Sequence, residues 1–469
     1  MNSVGPLTAS DHARVQVGNI TNNYSESTTN QCLRDLRLTD PRDDKKRIEQ
    51  KKGGLFRGSY RWILENADFR RWRDDAQSRL LWIKGDAGKG KTMLLCGIIN
   101  ELESAVTTGQ LSYFFCQGTD SQLNNATAVV RGLVYLLVSQ HPCLMTPLKT
   151  KYDEAGKRLF EDQNAFYALR DIFNAILQDP GLTGAYFVVD ALDECEHDMP
   201  QLLEIIKETT TASMPIKWII SSRNRPDIDR HFTTHDSRIR LSLELNAPHV
   251  SHAIELYIDH KVSQLELIKH DRVIQDQVRR QMRQKAEGTF LWVALAFQAL
   301  QNVFLRRDVL PLLEDIPPGL ALLYGRMMVQ VEQRREFETC RHVLSAVALA
   351  RRPLSLPELP TLAGIENISH INELETIIHL CGSFITIRDS KVYFIHQSAK
   401  EYLQASDKIF PSNRQPAHRG LFFRSLRALS KVLKKGHVRA SSSRILSRRG
   451  AASGTRPIRC GGVLLCLLG

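Results

Sequence analysis

Four short apolar runs, followed by long stretches of helical spacing, organise this chain. The runs are Leu80-Leu-Trp-Ile83, Leu111-Ser-Tyr-Phe-Phe-Cys116, Ala185-Tyr-Phe-Val-Val189 and Lys217-Trp-Ile-Ile-Ser-Ser222. Apolar runs of this length without alternation suit strands of a parallel sheet buried on both faces. A helical pattern starts straight after the first run, and another spans Ala126 to Gln140, giving the strand–helix alternation of an α/β layer. From 249 to 305 the apolar positions recur at helical spacing, among them Val250, Ala253, Ile254, Tyr257, Ile258 and Val262. Glycine punctuates two helices at Ala286-Glu-Gly-Thr-Phe-Leu-Trp292. Residues 338–404 predict helices over Thr339 to Ala350, Leu356 to Ala363 and Ile371 to Leu380. A hairpin of Ser383 to Arg388 with Val392 to Ile395 turns at Asp389-Ser-Lys391, the pattern of a winged helix.

The loop after the first run holds the most specific chemistry. It reads Gly85-Asp86-Ala87-Gly88-Lys89-Gly90-Lys91-Thr92-Met93, a G-x-x-x-x-G-K-T sequence between a strand and a helix. Glycines there let backbone N–H groups turn inward around a β-phosphate, and the helix N-terminus adds its positive dipole end. Lys91 is placed to reach the β- and γ-phosphates, and Thr92 offers a hydroxyl to Mg²⁺. The third run ends in Asp190-Ala-Leu-Asp193-Glu194, acids at the C-terminal end of a strand, where open α/β sheets bind ligands. Asp190 is expected to hold Mg²⁺ through water, and Asp193 or Glu194 to orient or deprotonate an attacking water. The fourth run ends at Arg223. If its strand neighbours that of Asp190, Arg223 points to the γ-phosphate; otherwise it pairs with a surface acid. A strand inserted between the P-loop strand and the acidic strand is expected of the ATPase branch of P-loop proteins, and Leu111–Cys116 lies between them in sequence.

Composition changes the picture mainly by exclusion. At 469 residues and 42% apolar, the chain is long enough to bury two to four modest domains. The longest apolar stretch, Phe290 to Phe297, is far short of a membrane span and reads as a buried helix. There is no signal-peptide core near the N-terminus, so a cytoplasmic protein is expected. Nine cysteines lie far apart with no C-x-x-C pair, which indicates neither a zinc site nor a disulfide framework, and Cys195 reads as a small packing residue. The net charge is +12, but residues from 408 onward carry fourteen Lys or Arg and no Asp or Glu, which leaves residues 1–407 at −2. A basic face over the body is therefore not expected, and no clear nucleic-acid partner follows.

The two ends differ from the body. Val15 to Tyr24 alternates apolar and polar residues amid Asn, Ser and Thr, as a flexible arm, a single edge strand or a strand-templating motif would. Residues 418–435 space leucines and phenylalanines helically with a basic opposite face, which fits packing on the body, a calmodulin-type or membrane-surface helix, or a nucleic-acid arm. From about Gly436 the composition predicts disorder. No repeat period is visible there, and the end reads as a truncated or out-of-frame continuation. Cys466 stands four from the end, but a terminal Gly is not the usual last residue of a prenylation box.

Four stretches taken in order resemble fungal NACHT-domain proteins, the STAND signalling NTPases of the heterokaryon-incompatibility and nephrocystin-like group. They are Leu33-Arg-Asp-Leu-Arg-Leu-Thr-Asp-Pro-Arg-Asp-Asp-Lys45, Tyr60-Arg-Trp-Ile-Leu-Glu65, Gly85 to Thr92, and Asp190 to Glu194. The resemblance runs from about residue 30 to about residue 410. One departure is Ala87, where the family usually carries proline. The resemblance implies an α/β P-loop NTPase with a parallel sheet in ATPase-type strand order, followed by a helical domain and a winged-helix domain. The expected divisions are an N-terminal extension 1–44, a NACHT core 45–240, a helical lid 241–330, a winged helix 331–410 and a basic tail 411–469. It also implies a switch, closed with ADP and self-associating with ATP, that uses ATP or ADP with Mg²⁺; ATP over GTP rests on the resemblance, since no guanine-reading N-K-x-D is present. In related switches a winged-helix histidine can touch the bound diphosphate, and His396 is the best-placed candidate here; as a residue it reads also as a cap for the following helix or a donor within the core. The upstream ligand and downstream effector stay unnamed, because the sensor repeats common in related proteins are not visible. Two further readings stand beside the switch: a nucleotide-binding scaffold that does not hydrolyse, and a nucleic-acid-dependent ATPase.

Overall fold

The structure, a computed structural model, describes residues 21–430 apart from 106–109, 212–214, 233–237, 366–367, 369, 412–413 and 429, with side chains from residue 29 onward. Helices α1 (Thr21–Leu36), α2 (Pro41–Lys51), α3 (Arg61–Glu65) and α4 (Ala67–Asp74) lead to the sheet. Its strands are β1 (Leu80–Lys84), β2 (Gln110–Phe115), β3 (Ala185–Asp190), β4 (Ile216–Ser222) and β5 (Arg238–Ser242). Between β1 and β2 runs α5 (Lys91–Ala105); between β2 and β3 run α6 (Ala126–Gln140), α7 (Thr146–Ala155) and α8 (Ala165–Leu177). Helices α9 (Met199–Thr211) and α10 (Pro226–His231) follow β3 and β4 respectively.

The five strands are parallel and ordered β2-β3-β4-β1-β5. β1 and β3, which deliver the P-loop and the acids, are therefore separated by one strand. That strand is β4, with Leu80 beside Trp218 and Val188 beside Ile219. The run Leu111–Cys116, which lies between them in sequence, forms the edge strand β2 instead. The ATPase-type order holds, with a different strand making the insertion. Core packing explains the choice. β4 is buried almost throughout, and the Trp218 ring lies 4.7 Å from that of Phe187 on β3. Indole Nε1 of Trp218 donates to Thr209 at 3.0 Å and that of Trp82 to Ser222 at 2.8 Å, so neither buried indole is left unpaired.

Behind the sheet come α11 (Ala247–Ser263), α12 (Arg272–Lys285), α13 (Phe290–Gln301), α14 (Val309–Asp315) and α15 (Leu320–Glu332). They are followed by α16 (Phe337–Leu349), β6 (Leu354–Ser355), α17 (Leu359–Ala363), α18 (Ile371–Leu380), β7 (Ile385–Arg388), β8 (Lys391–Phe394) and α19 (Gln397–Ala405). The hairpin turns through Asp389 and Ser390 at φ +47° and +58°, the left-handed pair that matches the twist of a two-residue hairpin. β6 pairs antiparallel with β8 and completes a three-stranded wing, so the second helix begins at Leu359 and not at Leu356.

The N-terminal reading changes too. Thr21 to Tyr24 belong to helix α1 rather than to a strand, while Val15 to Ile20 lie outside the described residues. The C-terminal end of α1 is held by Arg131, whose Nε donates to the Leu36 carbonyl at 2.6 Å and whose Nη2 donates to that of Asp35. A last helix over 415–428 packs on the body through buried Leu421 and Ser425, with Arg424 Nε donating to Leu362 at 2.7 Å. The tail from 431, including Cys466, lies outside the described residues.

Candidate functional site

The P-loop leaves β1 and enters α5 at Lys91. Gly88 and Gly90 sit at φ +80° and +85°, where a side chain would be strained. They also allow a close approach: a Cβ on Gly90 would stand 2.8 Å from the Phe290 ring, and one on Gly88 3.3 Å from Leu291. Phe290 begins α13, and its N–H donates to the Gly88 carbonyl at 2.9 Å. The Gly288-punctuated segment between α12 and α13 thus lies on the P-loop. Lys91 donates to the carbonyls of Gly85 at 2.5 Å and Asp86 at 3.0 Å, and burial pushes its ammonium down. The N–H of Asp86 is taken by Glu244 at 2.7 Å.

Asp190 ends β3 and is 3% exposed. Its carboxylate accepts at 2.5 Å from Ser221 on β4, and the nearby Thr92 hydroxyl also favours its charged form. Desolvation still raises it above the usual carboxylate range. The same Ser221 oxygen accepts the Ala191 N–H at 2.9 Å. That amide belongs to a left-handed alanine (φ 53°, ψ 49°), a conformation costing about 1–2 kcal/mol. The bend turns the chain off β3 and sends Asp193 and Glu194 towards the cavity, an instance of strain at a site that needs an abrupt turn.

The two acids then part. Asp193 accepts the Arg223 N–H at 3.0 Å and lies 3.3 Å from its Nε, so it is committed to the arginine. Glu194 accepts the Gly118 N–H at 2.8 Å through Oε2. Desolvation outweighs that bond and pushes its carboxyl up to about 7. Arg223 also donates to Glu401 of α19 at 2.6 Å. The strand that ends at Arg223 does neighbour that of Asp190, and the arginine pairs with Asp193 and Glu401.

His396 precedes α19 and caps it, its Nδ1 accepting the Ser398 N–H at 3.1 Å. It also lines one cavity of about 1120 Å³ together with Lys91, Thr92, Asp190, Glu194 and Arg223. Accepting through Nδ1 leaves the ring proton on Nε2. Burial, then the charges of Lys52, Arg223, Lys91 and Lys51, hold this imidazole neutral. The structure thus brings Ala87 to Met93, Asp190, Asp193, Glu194, Arg223 and His396 onto one cavity, while Gly85 and Asp86 lie outside its lining.

Other residues here carry no local sequence signal. Ser221 and Gly118 hold the acids, Glu401 reaches Arg223 from 178 positions away, and Lys51 to Gly54 enter the cavity from the end of α2. Only the small hydroxyls closing the fourth apolar run hinted at one of them. A Mg²⁺ ion fits the oxygen donors present, since the Thr92 hydroxyl and the Asp190 carboxylate lie against each other beside the phosphate loop.

Known proteins carry the same signature. Residues 58–223 match the family model for the N-terminal region of nephrocystin 3, and residues 324–410 match that for the winged helix domain of GPI inositol-deacylase. Over 422 residues, 86% of this chain, the sequence is 49% identical to vegetative incompatibility protein HET-E-1 of Podospora anserina. The match takes in 31% of that protein, so the chain spans about a third of the length of the curated relative it matches. Similar solved structures include Drosophila ORC bound to DNA, with a TM-score of 0.31, 11% identity, and coverage of 84% of this chain and 96% of that one. Another is the Aeropyrum pernix ORC1 protein in complex with DNA, at 0.30, 12%, 75% and 96%. Scores this low leave those two likenesses without weight for function. The motif series, the sheet order and the relative at 49% identity agree: residues 58–223 form a nephrocystin 3 N-terminal-like region, and the chain is similar to the NACHT-bearing part of a fungal incompatibility protein.

Proposed function

We propose that this chain is a nucleotide-dependent signalling switch. It binds ATP or ADP with Mg²⁺, hydrolyses ATP slowly, and self-associates in the ATP state, within fungal non-self recognition or programmed cell death. The observation that supports this best is the convergence of P-loop, acidic turn, Arg223 and His396 on one cavity, which Thr92 and Asp190 both line.

In this reading the P-loop amides and Lys91 hold the phosphates. Thr92 and Asp190 would hold the metal, which would supply charge neutralisation to the phosphates. Glu194 is the base for the attacking water, because Asp193 is already bound twice by Arg223. His396, neutral and protonated on Nε2, offers a donor to a phosphate oxygen and couples the nucleotide to the winged helix. The test is Lys91→Ala in the full chain, with bound nucleotide identified after purification and mass in solution measured with ADP and with ATP. The variant should lose retained nucleotide and any ATP-dependent increase in mass. Retention equal to wild type would refute the reading.

A further inference from the structure

The wall facing the P-loop carries a cation that no motif marks. Helix α2 is started by Asp40, whose side chain accepts the Arg42 N–H at 3.0 Å, with Pro41 in its first turn and Asp43 and Asp44 behind it. It ends at Lys51, with Lys52 as the C-cap. Lysines at such a position are ordinarily explained by the helix dipole. Here the helix end is clamped in place. Gly53 and Gly54 turn the chain at φ +80° and +88°, and a Cβ on Gly53 would stand 2.6 Å from Lys261 Nζ. That ammonium donates to the Gly53 carbonyl at 3.2 Å, while Lys51 Nζ reaches the Phe394 carbonyl of β8 at 3.4 Å. The end of α2 is thus held between α11 and the wing, on the cavity.

Charge separates Lys52 from its neighbours. It lines the cavity together with Thr92, Asp190 and His396, the residues at its metal and phosphate end, and its positive charge is felt by both Asp190 and His396. Lys91 is hydrogen-bonded to the loop, and Arg223 is paired with Asp193 and Glu401. Among the described residues Lys52 forms no salt bridge, and it lines that same cavity. A cation brought to a cavity by a rigid turn and held in no salt bridge suits an anionic ligand.

We infer that Lys52 is a second phosphate-binding lysine, supplied by the segment before the P-loop, that contacts the terminal phosphate of a bound nucleoside triphosphate. This rests on the nucleotide reading above. It makes α2 a sensor of triphosphate against diphosphate, and it ties that sensing to the wing through the adjacent Lys51. The test is calorimetric titration of full-length wild type, Lys52→Gln, Lys52→Met and Lys52→Arg with Mg·AMP-PNP and with Mg·ADP, thermal midpoints being measured alongside. Both neutral variants should bind AMP-PNP about tenfold more weakly and ADP within threefold of wild type, with Lys52→Arg close to wild type for both. Thermal midpoints should not move, since the Lys52 side chain makes no ion pair to lose. AMP-PNP binding unchanged in the neutral variants, or equal losses for both nucleotides, would overturn the inference and leave the nucleotide reading standing. A wild type that binds neither nucleotide overturns both.

Discussion

The two walls of the cavity are built by opposite means. The P-loop wall is backbone: two left-handed glycines, the start of α5, and a lysine folded onto its own loop. The facing wall is side chain: Lys52 from α2, Arg223 from the end of β4, itself held by Glu401 of α19, and His396 at that helix's cap. Amide donors are fixed and hold a phosphate tail whatever its length. Side-chain charges pair among themselves when no ligand competes, as Arg223 does with Glu401, and can exchange partners when one does. Affinity is expected from the first wall, and discrimination between nucleotide states from the second.

The largest separation between the walls is expected from Glu194→Gln. Removing a positioned base typically costs about 10²–10⁴-fold in rate, so turnover should fall by about 10²-fold or more while nucleotide affinity stays near wild type. Lys91→Ala should do the reverse and remove binding itself. In the wild type, kcat/KM should rise with pH through a midpoint near 7, because Glu194 must lose a proton held by desolvation before it can accept one from water. That profile should flatten in Glu194→Gln. A wild type with no turnover and ADP that never exchanges would instead identify a non-hydrolysing scaffold.

A smaller effect is expected at the contact between α19 and the sheet. Arg223 Nη1 and Glu401 Oε2 are 2.6 Å apart, with side chains 26% and 43% exposed. A pair this open is worth at most about 1 kcal/mol. Global stability should therefore move little in Glu401→Gln, but about 1 kcal/mol shifts a two-state balance about fivefold. Self-association with AMP-PNP, followed by mass in solution, should appear at a several-fold lower nucleotide concentration. Unchanged assembly would show that Arg223 answers to Asp193 alone.

What could be read from the sequence follows the same division. Gly85 to Thr92 and Asp190 to Glu194 are consecutive residues whose strand and helix context is written beside them. The helices at Ala126–Gln140 and Ile371–Leu380 were equally plain, because long periodic segments carry their own evidence. The facing wall has no such unit. A lysine closing a helix looks like a dipole partner until the phosphate loop and a wing strand are seen to share a cavity with it. β6 has two residues, too few for any period, and exists because Leu354 pairs with Val392. α1 runs through Asn, Ser and Thr of low helix propensity and is held by Arg131 and by Tyr152, whose hydroxyl meets Asp35. Long-range capping of that kind leaves no mark in the sequence near the helix.

The finest distinction concerns His396, which serves the helix and faces the nucleotide site at once. As a cap it accepts the Ser398 N–H through Nδ1, while the Ser398 hydroxyl lies 2.8 Å from the same nitrogen and 3.0 Å from the Tyr324 hydroxyl. Losing a cap costs about 0.5–2 kcal/mol, so His396→Ala should lower stability by about 1 kcal/mol. His396→Asn supplies another capping oxygen and should restore most of that loss. It does not restore the ring's Nε2–H. If that donor meets the diphosphate, His396→Asn should keep the wild-type thermal midpoint yet bind ADP several-fold more weakly by calorimetry. If both stability and ADP affinity return to wild type, His396 is a cap only, and reading of the nucleotide on this wall passes to Lys52 and Arg223.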